Sequence, residues 1–240
     1  MNAVVLAGGK GTRLVPYTTV FPKPLVPIGH RPIIDIVVQQ LGYFGFNNIF
    51  LTVGYHAELI QAYFQSCNSR FSDIRIRYVK EQNPTGTAGS LGMIQGLDDT
   101  FLVMNGDILT TLDYSKLVEF HRQKGAILTI AMHRKKVKID LGVLETDDDG
   151  LLTEYIEKPE KAYLVSMGVY VYEPTVLDYI QPNTYLDFPE LVVKLLTAGE
   201  KVAGYPCDAY WLDIGRHEDY AQAQNEYAQM EHLLLPANRN

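Results

Sequence analysis

The sequence has 240 residues, of which 47% are hydrophobic and 20% charged, the composition of an ordinary globular domain. Its 28 acidic and 21 basic residues give a net charge of −7, which argues against a protein that binds nucleic acid by neutralising phosphates. No run of 18 apolar residues occurs, and residues 1–4 carry no basic signal-peptide region. We therefore expect no nucleic-acid partner, no membrane partner and a cytoplasmic location.

The first predicted element is a short buried strand over 3–7 that runs directly into a glycine-rich loop. Residues 6–14 read LAGGKGTRL, and glycines there let backbone amides approach a ligand, while Lys10 and Arg13 add positive charge. The spacing matches neither G-x-x-x-x-G-K-[ST] nor G-x-G-x-x-G, because Leu14 stands where the last glycine of the second pattern belongs. The loop favours binding of a nucleotide phosphate chain, and a plain glycine turn is the alternative.

Strands and helices are predicted to alternate through the first half of the chain. Apolar spacing places them at 32–46 (helix), 49–53 (strand), 56–64 (helix), 74–79 (strand) and 101–104 (strand). The alternation indicates βαβ units and a parallel sheet with helices on both faces. Ligands of such sheets bind beyond the carboxyl ends of the strands, where Gly8, Glu81 and Asp107 lie.

The second half is predicted to be richer in antiparallel structure. The predicted elements are strands at 126–132, 141–145, 151–156, 166–172 and 201–205 and helices at 186–198 and 216–230. Residues 147–150, Asp-Asp-Asp-Gly, form the turn between two of these strands, so we interpret the acidic run as a solvated hairpin tip. This half reads as a lobe built onto the same sheet, followed by a loose tail.

Two polar stretches near the glycine loop carry candidate ligand contacts. Lys23 stands between two prolines, which hold it on a rigid extended segment and favour a cation aimed at phosphate over a solvated loop lysine. Further along, Gln82 carries the donor and acceptor needed to read a base edge, and Gly86 and Thr87 open a helix whose N-terminus favours an anion. A capped helix start is the alternative there.

Two carboxylates are candidate metal ligands. Asp107 ends the strongest apolar strand, and Asp213 follows an aromatic pair late in the chain. Mg²⁺ usually takes only one or two protein carboxylates together with phosphate oxygens, so this pair suits it. An Asn-Gly-Asp turn and a helix cap are the respective alternatives. Glu157 and Lys158 are suited to sugar hydroxyls and a phosphate, or else form a surface ion pair.

The order of these motifs is more specific than any one of them. The series LAGGKGTRL, PKP, GTAGSL, NGD, EKP and WLDIG, from Met1 to about Tyr227, resembles the sugar-1-phosphate nucleotidylyltransferases, and the mannose- or heptose-1-phosphate guanylyltransferases most of all. The resemblance implies an α/β fold: a Rossmann-like (GT-A-type) mixed, mainly parallel sheet flanked by helices, with a smaller β-rich sugar-binding lobe. It implies one nucleotidyltransferase domain over 1–240, with a nucleotide-binding core at 1–135, a sugar-phosphate-binding part at 136–230 and a loose tail at 231–240. The sequence holds no hexapeptide repeats of the C-terminal β-helix that many relatives carry.

The reaction that the resemblance implies joins a nucleoside triphosphate to a sugar 1-phosphate, releasing pyrophosphate and forming a nucleotide sugar for glycan synthesis, with Mg²⁺ as cofactor. The first expectation is GTP with mannose- or heptose-1-phosphate. The same reaction with dTTP, CTP or UTP and glucose-1-phosphate or another sugar stays open. Small-molecule substrates are the expected partners, and a homo-oligomer is an open alternative.

The resemblance also assigns roles by motif. Catalytic roles fall to Arg13, Lys23 and Asp107. The nucleotide-binding residues are Leu6, Ala7, Gly8, Gly9, Gly11, Thr12, Arg13, Gln82, Gly86, Thr87 and Asp107. The sugar-phosphate-binding residues are Gly142, Glu157, Lys158, Ser166 and Gly168, and the metal ligands are Asp107 and Asp213.

Departures from the family pattern lie on the sugar side. Leu141 stands where many relatives carry tyrosine, and Ser166 and Met167 replace an Asn-Ala or Asn-Thr pair, so the sugar is not fixed by the resemblance. Two other classes remain as alternatives. A nucleotide-sugar-dependent glycosyltransferase leaves the glycine loop unexplained. A non-catalytic regulatory module leaves unexplained why the chain retains Arg13, Lys23, Asp107 and Asp213.

Overall fold

The computed structural model describes residues 1–9, 11–81 and 83–235. The strands are β1 (Asn2–Ala7), β2 (Pro27–Ile28), β3 (Arg31–Pro32), β4 (Asn48–Val53), β5 (Arg75–Lys80), β6 (Phe101–Asn105), β7 (Ile108–Thr110), β8 (Leu128–Lys138), β9 (Val143–Thr146), β10 (Leu152–Ile156), β11 (Glu160–Tyr172), β12 (Val202–Cys207) and β13 (Trp211–Asp213). The α-helices are α1 (Tyr17–Val20), α2 (Ile33–Tyr43), α3 (Ala57–Ser66), α4 (Gly86–Gly89), α5 (Tyr114–Lys124), α6 (Phe188–Thr197) and α7 (His217–Leu234). Within these ranges, no helix is both long and apolar enough to cross a bilayer.

A seven-stranded sheet in the order β12-β8-β11-β6-β1-β4-β5 forms the centre of the fold. Strands β6, β1, β4 and β5 are parallel, β11 runs antiparallel to both of its neighbours, and β12 is parallel to β8. The mainly parallel sheet predicted from the alternating pattern is therefore confirmed. Because the single antiparallel strand lies inside the sheet, elements from both halves of the chain meet along its carboxyl-end edge.

Helices cover both faces of this sheet, which explains the apolar character of the first strand. In β1, Ala3, Val4 and Val5 are all fully buried: Ala3 and Val5 face one core and Val4 faces the other. The larger core packs α2, α3, α5 and α7 against one face, and the smaller core packs α4 and α6 against the opposite face. A strand buried on both sides has no polar alternation, and this is the pattern of a central parallel strand.

Helix α5 and strand β11 are two of the elements that differ from the sequence-based expectation. Helix α5 is not predicted by apolar spacing, although its N-cap Asp113 accepts hydrogen bonds from two backbone amides and Gly125 ends it in the left-handed conformation. Strand β11 begins six residues before the predicted position, because 160–165 pair with 133–138 of β8 and extend both strands beyond the sheet. The predicted hairpin around Asp147 is present as β9 and β10, which pair antiparallel.

Candidate active site

The glycine loop after β1 has a left-handed residue at Gly11. This residue has φ +62°, and a Cβ there would lie 2.8 Å from Thr18 Cγ2 and 2.9 Å from Lys23 Cβ. Thr18 Oγ1 donates to the Gly11 carbonyl at 2.7 Å, which holds the turn against the segment that carries Lys23. The left-handed conformation and the close packing both require glycine. Lys10 lies outside the described residues.

Lys23 and Asp107 form an ion pair at the carboxyl end of β6. Lys23 opens a 3₁₀ turn after Pro22, is only 8% exposed, and donates its Nζ proton to Asp107 Oδ2. The other carboxylate oxygen, Asp107 Oδ1, is buried and has no hydrogen-bond partner among the described residues. A buried carboxylate oxygen without a partner is costly, so this atom is a strong candidate to contact a ligand.

A short strand pairing carries the second carboxylate to the same place. Strands β7 and β13 pair antiparallel with Asp213 opposite Ile108, and the Ile214 amide donates to the Asp107 carbonyl at 3.1 Å. Partial burial raises the pKa of Asp213 above its ordinary 3.8, the Asp107 carboxylate raises it further, and the positive charges of Lys23 and Arg13 lower it. These two acids and two bases therefore share one electrostatic environment, although 106 residues separate the acids.

Arg13 reaches this group from the far end of the glycine loop. A Cβ built on Gly215 would lie 3.6 Å from Arg13 Nη2, so the guanidinium lies against the backbone that follows Asp213. Arg13 and Lys23 thus contribute two positive charges beside two carboxylates. Such a mixed cluster offers oxygen ligands to a cation and positive charge to phosphate.

A cleft of about 350 Å³ adjoins the cluster, which is large enough for a small-molecule ligand. Eight residues with predicted roles line it: Leu6, Ala7, Gly8, Gly9, Lys23, Gly86, Thr87 and Asp107. Gln82, predicted to read the base, lies outside the described residues. Gly11 and Arg13 contact residues of the cluster without lining the cleft, and Thr12 lies between them.

The structure adds cleft residues for which the sequence predicts no role. Tyr185 and Asp187, from the segment before α6, line the cleft beside Gly86 and Thr87. Asp187 Oδ1 accepts from the Thr87 amide at 3.1 Å, and Tyr185 Oη donates to Asp187 Oδ2 at 2.5 Å. These hydrogen bonds lower the pKa of Asp187. The capping box of Asp187 with Glu190 is visible in the sequence, but its contact with a residue a hundred positions earlier is not.

The predicted sugar-phosphate residues fall into two groups. Gly168 lies against the cleft residue Asn105, since a Cβ there would be 2.7 Å from Asn105 Nδ2, and its amide donates to Ser166 Oγ at 3.3 Å. Immediately before β9, Gly142 lies against the ring and hydroxyl of Tyr155 near the end of β10, and that hydroxyl donates to Glu157 Oε2 at 2.7 Å.

This second group is open to solvent and does not line the cleft. Lys158, with φ +48°, follows Glu157 at an Nζ–Oε1 distance of 3.9 Å, and both side chains are more than half exposed. Only Gly168 and Ser166 of the predicted set therefore lie next to the residues that carry Asp107.

The oxygen donors of the cluster can be compared with the ligands that different metal ions require. Nowhere in the described ranges do three His, Cys, Asp or Glu side chains group together as a metal site would require. The acids available at the cluster are Asp107, with one unsatisfied oxygen, and Asp213. Two carboxylates that leave other positions to water and substrate oxygens suit a hard divalent cation such as Mg²⁺, whereas Zn²⁺ is normally held by three or four side chains.

The fold, the glycine loop and the paired carboxylates are those of a nucleotide-binding enzyme class, and the family comparison agrees. The family model described as "Nucleotidyl transferase" matches residues 2–230. The chain belongs to the nucleotidyl transferase family, which confirms the family predicted from the motif series. Enzymes of this family typically use a divalent metal ion.

The curated relatives differ in the nucleotide that their names specify. The chain is 37% identical over 243 residues to a UTP–glucose-1-phosphate uridylyltransferase of Synechocystis, covering 93% of the chain and 62% of the relative. It is 32% identical to a mannose-1-phosphate guanylyltransferase of Mycobacterium tuberculosis, covering 92% of the chain and 63% of the relative. The chain thus spans less than two thirds of the length of these relatives.

Solved structures agree on the architecture. HddC from Yersinia pseudotuberculosis, crystallised with GMP-PN, superposes with a TM-score of 0.71 at 27% identity, covering 94% of the chain and 99% of that structure. A Bacillus anthracis protein crystallised with sucrose gives a TM-score of 0.76 at 23% identity, over all of the chain and 97% of that structure. The second likeness concerns the fold alone.

Proposed function

We propose that the protein transfers a nucleotidyl group from a nucleoside triphosphate to a sugar 1-phosphate, forming a nucleotide sugar and pyrophosphate. The observation that carries this proposal is the cluster at the mouth of the cleft. There Asp107, with its unsatisfied buried oxygen, and Asp213 lie beside Lys23 and Arg13. Family membership and the activities for which the relatives are named support the same reaction class.

Each part of the cluster has a role in that transfer. The backbone of Gly8 and Gly9 borders the cleft and receives the triphosphate, while Arg13 and Lys23 offset the charge of its phosphates. An oxygen of the sugar phosphate attacks the α-phosphorus in line, a new P–O bond forms, and pyrophosphate leaves with the electrons of the broken P–O bond. This chemistry requires positioning and charge neutralisation and no protein nucleophile.

Asp107 and Asp213 are the residues that would hold Mg²⁺. When bound, the ion supplies positive charge to phosphate oxygens of the substrates. The chain itself contributes the orientation of the carboxylates: Lys23 fixes Oδ2 of Asp107, and the β7–β13 pairing fixes the backbone of both acids. Oδ1 of Asp107 is the oxygen left free for the ion.

The substrates are proposed at two levels. GTP with mannose- or heptose-1-phosphate is the first pairing, supported by the guanylyltransferase relatives and by the HddC structure with GMP-PN. UTP with glucose-1-phosphate is the second, supported by the Synechocystis relative, and dTTP and CTP complete the set. We place the nucleotide in residues 1–135 and the sugar phosphate in 136–230, in a cytoplasmic enzyme without nucleic-acid partners.

Pyrophosphate release tests the proposal. Purified protein is mixed with each common nucleoside triphosphate and several sugar 1-phosphates, with Mg²⁺ or with a chelator. Release confined to a few pairings and dependent on the metal ion is the expected result, and it names both substrates. A folded protein that binds a triphosphate and releases no pyrophosphate would favour a regulatory module. A folded protein that binds no triphosphate would refute the assignment.

A further inference from the structure

A carboxylate and a phenol stand side by side in the wall of the cleft. Tyr185 Oη donates to Asp187 Oδ2 at 2.5 Å, and both residues line the cleft. The reaction steps proposed above use neither of them. Each of the two oxygens has an acceptor position left, because a carboxylate or hydroxyl oxygen carries two lone pairs. Asp187 and Tyr185 therefore offer a ligand two neighbouring hydrogen-bond acceptors.

Asp187 is anchored through its other oxygen. Oδ1 accepts from the Thr87 amide at 3.1 Å and from the Thr87 hydroxyl at 3.4 Å, and the Phe188 amide donates to that hydroxyl at 2.8 Å. The hydrogen bonds from Tyr185 and Thr87 outweigh burial and lower the pKa of Asp187, so the carboxylate is ionised at neutral pH. Tyr185 is 58% exposed, so its ring has room to adjust to a ligand.

The charge of the cleft decides which ligand groups can approach this pair. Among the described residues of the cleft wall, the charged ones are Lys23, Glu81, Asp107 and Asp187. Lys23, the single cation of these, is paired with Asp107. The carboxylates of Glu81 and Asp187 are left to face the rest of a bound ligand. A carbonyl oxygen beside Asp187 would meet negative charge, whereas an N–H group would be bound.

The base of a bound nucleotide is the group that meets the two acceptors. Under the proposed function the glycine loop and Lys23 receive the phosphates, which leaves the wall formed by Thr87, Tyr185 and Asp187 to the base. Guanine presents two neighbouring donors there, N1–H and N2–H₂. Uracil and thymine present one N–H between two carbonyl oxygens, and adenine and cytosine present an amino group beside a ring-nitrogen acceptor. Guanine is therefore the base that satisfies both oxygens.

We propose that Asp187 and Tyr185 select guanine, with Asp187 Oδ2 and Tyr185 Oη accepting from its N1–H and N2–H₂ groups. The inference rests on the proposed function, because it requires a nucleoside triphosphate in the cleft. It chooses GTP among the triphosphates that the family leaves open. UTP and dTTP are rejected because a pyrimidine carbonyl oxygen would face the carboxylate, and a site built for a hydrogen-bond donor discriminates strongly against a ligand that lacks it.

The experiment is calorimetric titration of the full chain with four triphosphates, with Mg²⁺ and without a sugar phosphate, so that no turnover occurs. The ligands are GTP, UTP, inosine triphosphate, which lacks the 2-amino group, and xanthosine triphosphate, which has a carbonyl in its place. The wild-type chain is expected to bind GTP about tenfold or more tightly than each of the others, the effect of one hydrogen bond to a charged group.

Two variants separate base selection from a structural role. In Asp187→Asn an amide oxygen still accepts from Thr87, and the amide nitrogen replaces Oδ2 as a donor. GTP should therefore bind about tenfold or more weakly and xanthosine triphosphate about tenfold more tightly. Tyr185→Phe should weaken the binding of GTP more than that of inosine triphosphate. Asp178→Asn, at an exposed aspartate outside the cleft, should change neither affinity. Thermal unfolding shows that each variant is folded.

Three results would overturn the inference. A wild-type chain that binds UTP as tightly as GTP has another means of base selection or none, and the proposed reaction would stand. A folded Asp187→Asn protein that binds all four triphosphates equally weakly would make Asp187 a structural residue, because a structural role predicts no gain for xanthosine triphosphate. A wild-type chain that binds no triphosphate would overturn the proposed function together with this inference, so the two failures are distinguishable.

Discussion

Replacing Asp107 by asparagine separates the proposed catalytic role from a structural one. The substitution keeps the size of the side chain and an oxygen that can accept from Lys23, and it removes the negative charge. In the protein, Oδ2 receives Lys23 and Oδ1 has no partner among the described residues. The charge also acts on Asp213, whose pKa it helps to raise. Two opposing effects on stability follow.

The loss of stability comes from Lys23, which no longer faces a carboxylate, and the gain comes from Asp213, which no longer faces a like charge. The Lys23 and Asp107 side chains are 11% and 22% exposed, so the pair is largely but not fully removed from water. Removing one partner of a fully buried pair costs about 3–5 kcal/mol. Here the amide oxygen still accepts from Lys23 and the repulsion of Asp213 is relieved, so we expect a net loss of about 1–2 kcal/mol. For a chain of this length, that lowers Tm by about 2–8 °C.

The expected effect on turnover is much larger. If Asp107 holds Mg²⁺ against the phosphates, losing its charge removes about 3–4 kcal/mol of transition-state stabilisation, a factor of about 10²–10³ in kcat. The assay is pyrophosphate release at saturating substrates over a Mg²⁺ titration, with urea unfolding on the same preparation. Asp99→Asn, at an exposed aspartate outside the cleft, is the matched control.

A folded Asp107→Asn protein with kcat within about threefold of wild type would refute the assigned role. A loss of turnover that follows the loss of folded protein would instead make Asp107 a structural residue. The proposed role requires a steep fall in kcat with the protein still folded.

Three further substitutions test the electrostatics and the backbone. Because the pKa of Asp213 is raised above 3.8 in the folded protein, its favourable contribution to folding stability is present below pH 3.8 and is lost as pH rises through the folded pKa. Asp213→Asn should therefore be more stable than wild type in urea unfolding at about pH 7, should show no gain at about pH 3.5, and should lose turnover. Gly86→Ala should lower Tm and weaken nucleotide binding measured by calorimetry, since φ is +79° and the new Cβ would lie 2.5 Å from the Leu186 carbonyl oxygen. Gly45→Ala is the control: it has a similar positive φ but open space around the new Cβ, so it should lower folding stability by only about 1 kcal/mol. Equal losses of stability in the two variants would show that the contact with Leu186 has no effect. Burial lowers the pKa of His121 below 6.5 in the folded protein, so the stability that neutral His121 contributes is complete above pH 6.5 and declines as pH falls below that value. His121→Gln should therefore lower the free energy of unfolding in urea less at about pH 5 than at about pH 7.5, and an equal loss at both pH values would contradict this dependence.

Much of the fold follows from local patterns in the sequence. The continuous apolar run of β1 and the alternation of strands with helices predict a parallel sheet covered on both faces, and both features are confirmed. Helix α5 is not predicted from the apolar pattern, because its apolar side is narrow and interrupted by charged residues. Its N-cap Asp113 and the closing Gly125 are signals that apolar spacing alone does not use.

The candidate site is harder to predict from the sequence than the fold, because it depends on contacts between distant segments. The glycine loop and Asp107 can be located from their positions after strands. The approach of Asp213 depends on a pairing of two three-residue strands, which are too short to show an alternating pattern. Tyr185 and Asp187 reach the cleft through hydrogen bonds to a helix start a hundred residues earlier, and local composition carries no trace of that contact. The assigned substrate roles stay predictions.

The β7–β13 pairing also sets a point in the synthesis of the chain before which the site cannot exist. The glycine loop, Lys23 and Asp107 leave the ribosome well before β13, and the parallel strands that hold them can pair by then. Asp213 and the backbone that receives Arg13 follow about a hundred residues later. A nascent chain halted before β13 therefore has the Lys23–Asp107 pair without the second carboxylate, so the metal site proposed above would be completed only in one late step.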